Sequence, residues 1–163
     1  MTRATAVKLL VIGVLLALAG LQVWRWVRAE RGVSEKAFFY DLSEQKLFAG
    51  PRDAVPPIRG VNDAQVDAVR AVVISTTANP QDKRSRQIAY LEMYSPELKQ
   101  QMEAAQATGT SPAMGRALAQ QHRFVRRLED AQWFSLDSPE GEQIVTQWAT
   151  PGTNGITPVV CAP

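Results

Sequence analysis

The sequence is poor in the residues that build metal centres and nucleophilic active sites. Cys161 is the single cysteine and His122 the single histidine among 163 residues. One cysteine excludes an internal disulfide and any multi-cysteine site, and one histidine excludes histidine-cluster metal sites and the H-E-x-x-H arrangement. The sequence also lacks a G-x-S-x-G turn, a phosphate-binding glycine loop and a C-x-x-C-H haem motif. It therefore predicts no catalytic residue, no cofactor and no bound metal.

The net charge of the chain is also small, and the distribution of the charged residues along the sequence is more informative than the net charge itself. The net charge is +2, with six basic and two acidic side chains in residues 1–36 and 12 basic and 14 acidic ones in residues 37–163. The basic excess thus brackets an N-terminal apolar segment, as it does beside membrane spans. Because the other residues are slightly acidic, they are unsuited to a phosphate backbone, and we expect no nucleic-acid partner.

The longest apolar run begins at Leu9 and admits two interpretations. As a secretory signal peptide it would be cleaved after Ala19, where the sequence has an A-x-A pattern. As an uncleaved anchor, Leu9–Val27 supplies a helix of about 1.5 Å per residue, close in length to the ~30 Å hydrocarbon core. The apolar character continues past Ala19, and two tryptophans follow that suit the membrane interface. This continuation favours the anchor.

We therefore expect a signal anchor or signal peptide with a hinge over residues 1–32, and one domain over residues 33–163. The anchor would hold the protein in the lipid bilayer of a bacterial inner membrane through Leu9–Val27, as a single-pass transmembrane helix. Basic residues flank the segment on both sides, so the positive-inside rule does not fix its orientation. Its N-terminal position favours a cytoplasmic N-terminus and a periplasmic domain.

Aromatic and β-branched runs predict strands in the first half of the domain. Ala37–Asp41 and Lys46–Ala49 read as a β-hairpin. Val66–Thr76 reads as a central strand, and Gln87–Tyr94 as its partner. Because strands and helices occur in separate runs, the fold class expected is α+β with a small antiparallel sheet.

Three Ser-Pro pairs predict helix starts, since serine caps the helix and proline needs no donor at the first position. The first helix would run from Ser95 to Gly109, and the second from Pro112 to Asp130, together forming a helical hairpin. A short third helix would start at Ser138 and end near Trp148. The remaining segments, Trp133–Leu136 and Ile156–Ala162, are expected to be a short strand and an extended tail.

Five sequence segments are distinctive, namely FFYDLSEQKLF, VPPI, IAYLEMYSPE, SPEGEQIV and a terminal PVVCAP. Together they resemble the sequences of a family of bacterial single-pass membrane proteins with a small α+β domain. The resemblance covers most of the chain beyond the apolar segment. It implies an envelope protein with one membrane segment, and it brings no activity or catalytic residue with it.

Exposed aromatic and arginine side chains are the best sequence candidates for a partner interface, because both are enriched at binding hot spots. The alternative is that the aromatics belong to the core and the arginines to a solvated helix face. Cys161 is a candidate for an intermolecular disulfide or an inert thiol. The interface candidates are Phe38, Tyr40, Phe48, Arg116, Arg123 and Arg127.

Two carboxylates lie among apolar neighbours, Glu92 in a strand and Asp41 after an aromatic triplet. They could act as a general acid and base, or be hydrogen-bonded structural residues. The leading functional hypothesis is a membrane-tethered, non-enzymatic accessory subunit of a bacterial envelope assembly that binds another membrane or envelope protein. The alternatives are a module that binds a small envelope ligand, between sheet and helical hairpin, and a carboxylate-using hydrolase.

Overall fold

The computed structural model describes most of the chain, namely residues 13, 16–22, 24, 34–62, 65–77, 79–152 and 155–163. Two compact units divide the chain, Met1–Ser34 and Glu35–Pro163. In the first unit every described residue from 13 to 24 is helical. The predicted span Leu9–Val27 lies for the most part outside the described residues. Among those that are described, no helix has both the length and the apolar character needed to cross a bilayer.

The second unit begins with the predicted hairpin. Strand β1 (Lys36–Asp41) pairs antiparallel with β2 (Lys46–Pro51), and Phe39 lies opposite Phe48 with ring centroids 6.0 Å apart. Beside them, an added Cβ at Gly50 would come within 2.9 Å of Phe39. Because Phe39 is fully buried, a larger residue at position 50 would have to displace its ring.

The two central strands are also where the sequence predicts them. β3 (Ala68–Ser75) pairs antiparallel with β4 (Arg86–Tyr94), after a short 3-10 helix at Lys83–Ser85. The register shifts between Val72 and Val73, as at a β-bulge. Six of the eight β3 residues are buried, which is the pattern of a strand with neighbours on both sides.

Three shorter strands complete a sheet in which every pairing is antiparallel. β5 (Arg123–Arg126) pairs with β4, β6 (Phe134–Ser135) pairs with β5, and β7 (Val159–Val160) pairs with β3. The strand order is β2-β1-β3-β4-β5-β6, with β7 beside β3. The α+β class with an antiparallel sheet is thus confirmed.

Two of the three Ser-Pro pairs start helices as predicted. Ser95 caps α1 (Pro96–Thr108), and its side chain accepts a hydrogen bond from the third backbone N–H beyond it. At the other end Gly109 has φ +64°, the left-handed conformation that glycine adopts most readily. Ser138 caps the third helix, Pro139–Gln147, in the same way as Ser95 caps the first.

The prediction for the second helix is wrong. Helix α2 spans Arg116–Gln121, is capped by Gly115 rather than Ser111, and is followed at once by β5. Leu118, within α2, is 49% exposed. The segment Arg123–Arg126 instead pairs with β4, whose edge would otherwise be open. A short apolar run such as this one is compatible with a helix or with a strand, so the sequence alone does not distinguish them. The third helix, Pro139–Gln147, is therefore α3.

The registers divide the sheet into two faces, because residues directly opposite one another point to the same side. One face carries Phe39, Arg70, Glu92 and Val125. The three helices lie on this helix-covered face: Leu98 and Ala119 share a cavity with Arg123, and Gln147 accepts a hydrogen bond from Arg127. The other face has a buried cluster in which the described helices have no member. The cluster consists of Val69, Ala71, Val73, Leu91 and Cys161.

Candidate interaction surface

An ion pair lies at the centre of the helix-covered face. Arg123 donates from Nε to Glu92 Oε1 at 2.8 Å, and its Nη2 lies 2.6 Å from the same oxygen. The Glu92 side chain is 7% exposed and that of Arg123 is 37% exposed. The carboxylate is therefore held out of water while the guanidinium reaches it. The pair satisfies a buried charge, which is the usual condition for keeping one in a core.

Two tyrosines, Tyr90 and Tyr94, flank Glu92 on β4. Burial raises the pKa of Tyr94, and the negative charge of Glu92 raises it further. The same two causes, in the same order, raise the pKa of Tyr90. The Arg123 guanidinium lies over the Tyr94 ring, 5.9 Å from its centroid. Both phenols therefore stay protonated at neutral pH and act as neutral hydrogen-bonding groups.

The opposite side of the sheet carries aromatic and basic side chains around its buried cluster. Partly buried apolar side chains pack on that cluster from the strands and from two loops. Basic side chains occupy three strand positions of the same side, one at the start of β1 and two on β4 and β5. We call this surface the basic aromatic face. It comprises Lys36, Phe38, Tyr40, Arg86, Met93, Arg126 and Trp133.

Two guanidinium groups of this face stack on aromatic rings. Arg126 lies 5.0 Å from the Trp133 centroid and Arg86 lies 5.7 Å from the Phe38 centroid. Such contacts contribute about 0.5–1 kcal/mol at exposed sites and hold the guanidinium plane in place. The Nε atoms of both arginines are buried and have no hydrogen-bond partner among the described residues. Each guanidinium also donates from one terminal nitrogen to a backbone carbonyl, Arg86 Nη2 to Pro80 at 3.1 Å and Arg126 Nη1 to Asp130.

The charge of the basic aromatic face differs from that of the unit that carries it. Residues 35–163 have 13 basic and 15 acidic side chains, a net charge of −2. Yet none of the strand positions β1 to β7 on this face is acidic. Asp67, which precedes β3, accepts a hydrogen bond from the Ser43 backbone N–H. The face is thus a basic region on an acidic unit.

The predicted interface residues fall on different surfaces. Phe38 and Tyr40 lie on the basic aromatic face. Phe48 faces the other way, because it lies opposite Phe39 in the hairpin. Arg116 is exposed at the start of α2. The other two arginines are engaged within the unit, Arg123 with Glu92 and Arg127 with Asp130 and Gln147.

Arg116, Arg123 and Arg127 would lie on one face if residues 116–127 formed a single helix. Since the helix ends at Gln121, Arg116, Arg123 and Arg127 do not form one helical face. Arg86 and Arg126, which do share a face, were not singled out from the sequence. Arg86 lies directly before the predicted strand Gln87–Tyr94 and begins the observed β4, but its aromatic partner Phe38 is distant in sequence.

His122 ends α2 and touches two side chains at the start of α1. Its Nδ1 lies 2.9 Å from Ser95 Oγ and 3.9 Å from Glu97 Oε2. A serine nucleophile needs a base whose second ring nitrogen is held by the acid. Here the serine and the acid meet the same nitrogen, and Ser95 Oγ also accepts from the Leu98 backbone N–H. The arrangement is that of a helix cap.

The two candidate carboxylates have separate partners. Asp41 is buried, accepts hydrogen bonds from the Glu44 and Val61 backbone N–H groups and from the Ser43 hydroxyl, and orders two loops. The two backbone hydrogen bonds hold its pKa below the ordinary value of 3.8. Glu92 is paired with Arg123. Both have the partners expected of structural carboxylates.

Cys161 lies in the C-terminal tail, and the sheet buries it. Its backbone N–H donates to the Val73 carbonyl at 2.8 Å, and its side chain belongs to the cluster under the basic aromatic face, with the residue 6% exposed. A disulfide to another chain would require the tail to leave β3. The intermolecular disulfide remains a prediction.

Within the described part of the chain, no three histidine, cysteine, aspartate or glutamate side chains come together as metal ligands would. The basic aromatic face holds two of the buried side-chain nitrogens that have no hydrogen-bond partner among the described residues, the Nε atoms of Arg86 and Arg126. Comparison with known proteins gives no match to this chain, either among protein-family models, curated proteins or solved structures.

Proposed function

We propose that the chain is a membrane-tethered, non-enzymatic accessory subunit of a bacterial envelope assembly, and that its basic aromatic face binds a partner protein. The observation that supports this is the pair of arginines held over aromatic rings on a sheet face without acidic strand positions. Aromatics, methionine and arginine are the residues enriched at protein interfaces.

The partner that fits this face presents carboxylates between apolar side chains. Arg86 and Arg126 each use one terminal nitrogen for a backbone carbonyl of the unit, which leaves the other terminal nitrogen to donate to a carboxylate. Such charge-assisted bonds are stronger than neutral ones. The apolar surroundings, such as Leu47 at 37% exposure opposite Tyr40, suit apolar side chains of the partner. The apolar groups of this face lie along strands, so a flat protein surface fits it better than a bilayer, which favours an inserting helix or wedge.

The tether is the second part of the proposal. Leu9–Val27 would hold the domain at the inner membrane, with the domain in the periplasm. Tethering raises the effective concentration of the face near its partner, so a weak contact is sufficient for high occupancy. The protein should therefore remain in the membrane fraction after an alkaline wash. A mature N-terminus at Gly20 on a protein released from the membrane would instead identify the segment as a signal peptide.

Photo-crosslinking on the full chain in its native membrane tests the face itself. We would place p-benzoylphenylalanine at position 40, or at exposed Leu118 on α2 as a position control. The expected result is a protein crosslink at position 40 that Arg86→Glu and Arg126→Glu each reduce about tenfold, the loss of one charge-assisted contact. Arg84→Glu is the matched control, because Arg84 is exposed in the neighbouring 3-10 helix.

Other outcomes would identify a different occupant. A crosslink only to a second copy of this chain would make the face a homodimer interface, and a crosslink only to lipid would make it a membrane contact. Equal loss in the Arg84 variant would mean that general charge, rather than the stacked arginines, governs the contact. Each of these results overturns the proposal.

A further inference from the structure

A cavity on the helix-covered face lies between α1, α2 and the ends of β4 and β5. Its volume is about 260 Å³, roughly the volume of nine water molecules. Two methionines contribute flexible walls that adapt to a ligand. The lining residues are Tyr94, Leu98, Met102, Pro112, Met114, Ala119 and Arg123. An apolar cavity with a small number of polar groups is the usual form of a small-molecule site.

Arg123 is the charged side chain among the residues that line this cavity, and two further charged groups lie close to it on the sheet. Arg123 uses Nε and Nη2 for Glu92, and its Nη1 makes no hydrogen bond within the described part of the chain. Arg70 lies opposite Glu92 in the register, and its charge acts on Tyr94. The three groups Arg70, Glu92 and Arg123 therefore sum to +1. A single anionic group at Arg123 would neutralise this cluster.

We propose that this cavity binds a small monocarboxylate with a short apolar chain. Its carboxylate would accept hydrogen bonds from Arg123, and its chain would lie between Met102 and Met114. A guanidinium matches a carboxylate better than an ammonium does, because it offers two parallel donors. The cavity volume limits the ligand to about nine non-hydrogen atoms. This site does not depend on the proposed function, since it lies on the face of the sheet opposite the basic aromatic face.

The chemical shifts of the methionine methyl groups, measured by NMR on the full chain, report binding at this site. The sequence has four methionines, of which Met102 and Met114 line the cavity, while Met93 packs on the other face of the sheet. Hexanoate, with eight non-hydrogen atoms, is the probe. We expect saturable shifts of Met102 and Met114 with a dissociation constant of about 1 mM, as a ligand of this size allows. Met1 and Met93 should not shift.

Matched variants separate the cavity from the surface. Ala119→Phe fills the cavity and should abolish the shifts, whereas Ala117→Phe places the same ring at an exposed position of α2 that does not line the cavity. Arg123→Lys keeps the charge beside Glu92 and should weaken binding about tenfold, the loss of one charge-assisted hydrogen bond. Arg116→Lys, on exposed α2, should leave it unchanged.

The neutral and cationic analogues complete the test. Hexanol should bind at least about tenfold more weakly than hexanoate, and hexylamine should not bind at all. The proposal is overturned by the absence of saturable shifts up to about 50 mM hexanoate, far above the expected affinity. It is also overturned by shifts that persist in Ala119→Phe, or by hexylamine binding as tightly as hexanoate.

Discussion

Removing Arg123 should destabilise the second unit far more than removing the ion pair as a whole. In Arg123→Met the guanidinium is lost, and Glu92, whose side chain is 7% exposed, is left as a buried charge without its partner. Breaking a buried ion pair from one side costs about 3–5 kcal/mol. Because Arg123 itself is 37% exposed, water reaches one end of the pair, and we expect the lower limit, about 3 kcal/mol.

Replacing Glu92 instead of Arg123 should lower the free energy of unfolding by less, and replacing both residues should recover stability. In Glu92→Leu the arginine keeps its exposed end in water, so we expect a loss of about 1 kcal/mol. In the double variant Glu92→Leu/Arg123→Met no buried charge is left, and apolar side chains of similar size fill the space. Such replacements are often neutral or stabilising, so the double variant should be more stable than Arg123→Met by about 2 kcal/mol.

Urea unfolding followed by circular dichroism measures the free energy of unfolding for the wild type, the two single variants and the double variant. The predicted loss in Arg123→Met corresponds to a fall in melting temperature of roughly 10 °C for a unit of this size. The coupling energy from the cycle should be about 1.5–3 kcal/mol. The reasoning is refuted if Arg123→Met melts like the wild type, or if the double variant is no more stable than Arg123→Met.

Two further predictions concern Asp41 and Cys161. The pKa of Asp41 is lowered in the folded state, so its contribution to stability is full above the unfolded value of 3.8 and is lost as the pH falls through the lower folded value. Asp41→Asn should therefore melt below the wild type at pH 7, and the gap should narrow in thermal melts as the pH falls below 3.8; a gap that is constant with pH would contradict this. The Cys161 thiol is buried, so it should react with an aromatic disulfide reagent at least about 100-fold more slowly in buffer than in urea, because reaction needs an opening of the tail. Equal rates would show that the tail does not hold the thiol in the core, and Cys161→Ala should remain folded in either case.

Local chemistry determined the elements that the sequence predicted well. The serine, proline and glycine at the ends of α1 act within a few residues of one another, so their hydrogen bonds are readable from the sequence. The hairpin and the β3–β4 pair are equally predictable from the sequence, because apolar alternation and β-branched residues are typical of strands in any antiparallel sheet. Those patterns also gave the α+β class, since strands and helices occupy separate parts of the chain.

The segment Arg123–Arg126 shows what only the tertiary structure decided. Its Phe-Val pair fits a helical stripe or a strand equally well, and the open edge of β4 selects the strand. That choice places Arg123 on Glu92 and Arg126 on Trp133, on opposite faces of the sheet. The β1–β3 and β3–β4 pairings bring Arg86 over Phe38, 48 positions earlier in the chain. The sequence by itself determined the local elements, while long-range strand pairing determined which charges meet, because a shift of one residue moves every side chain to the other face.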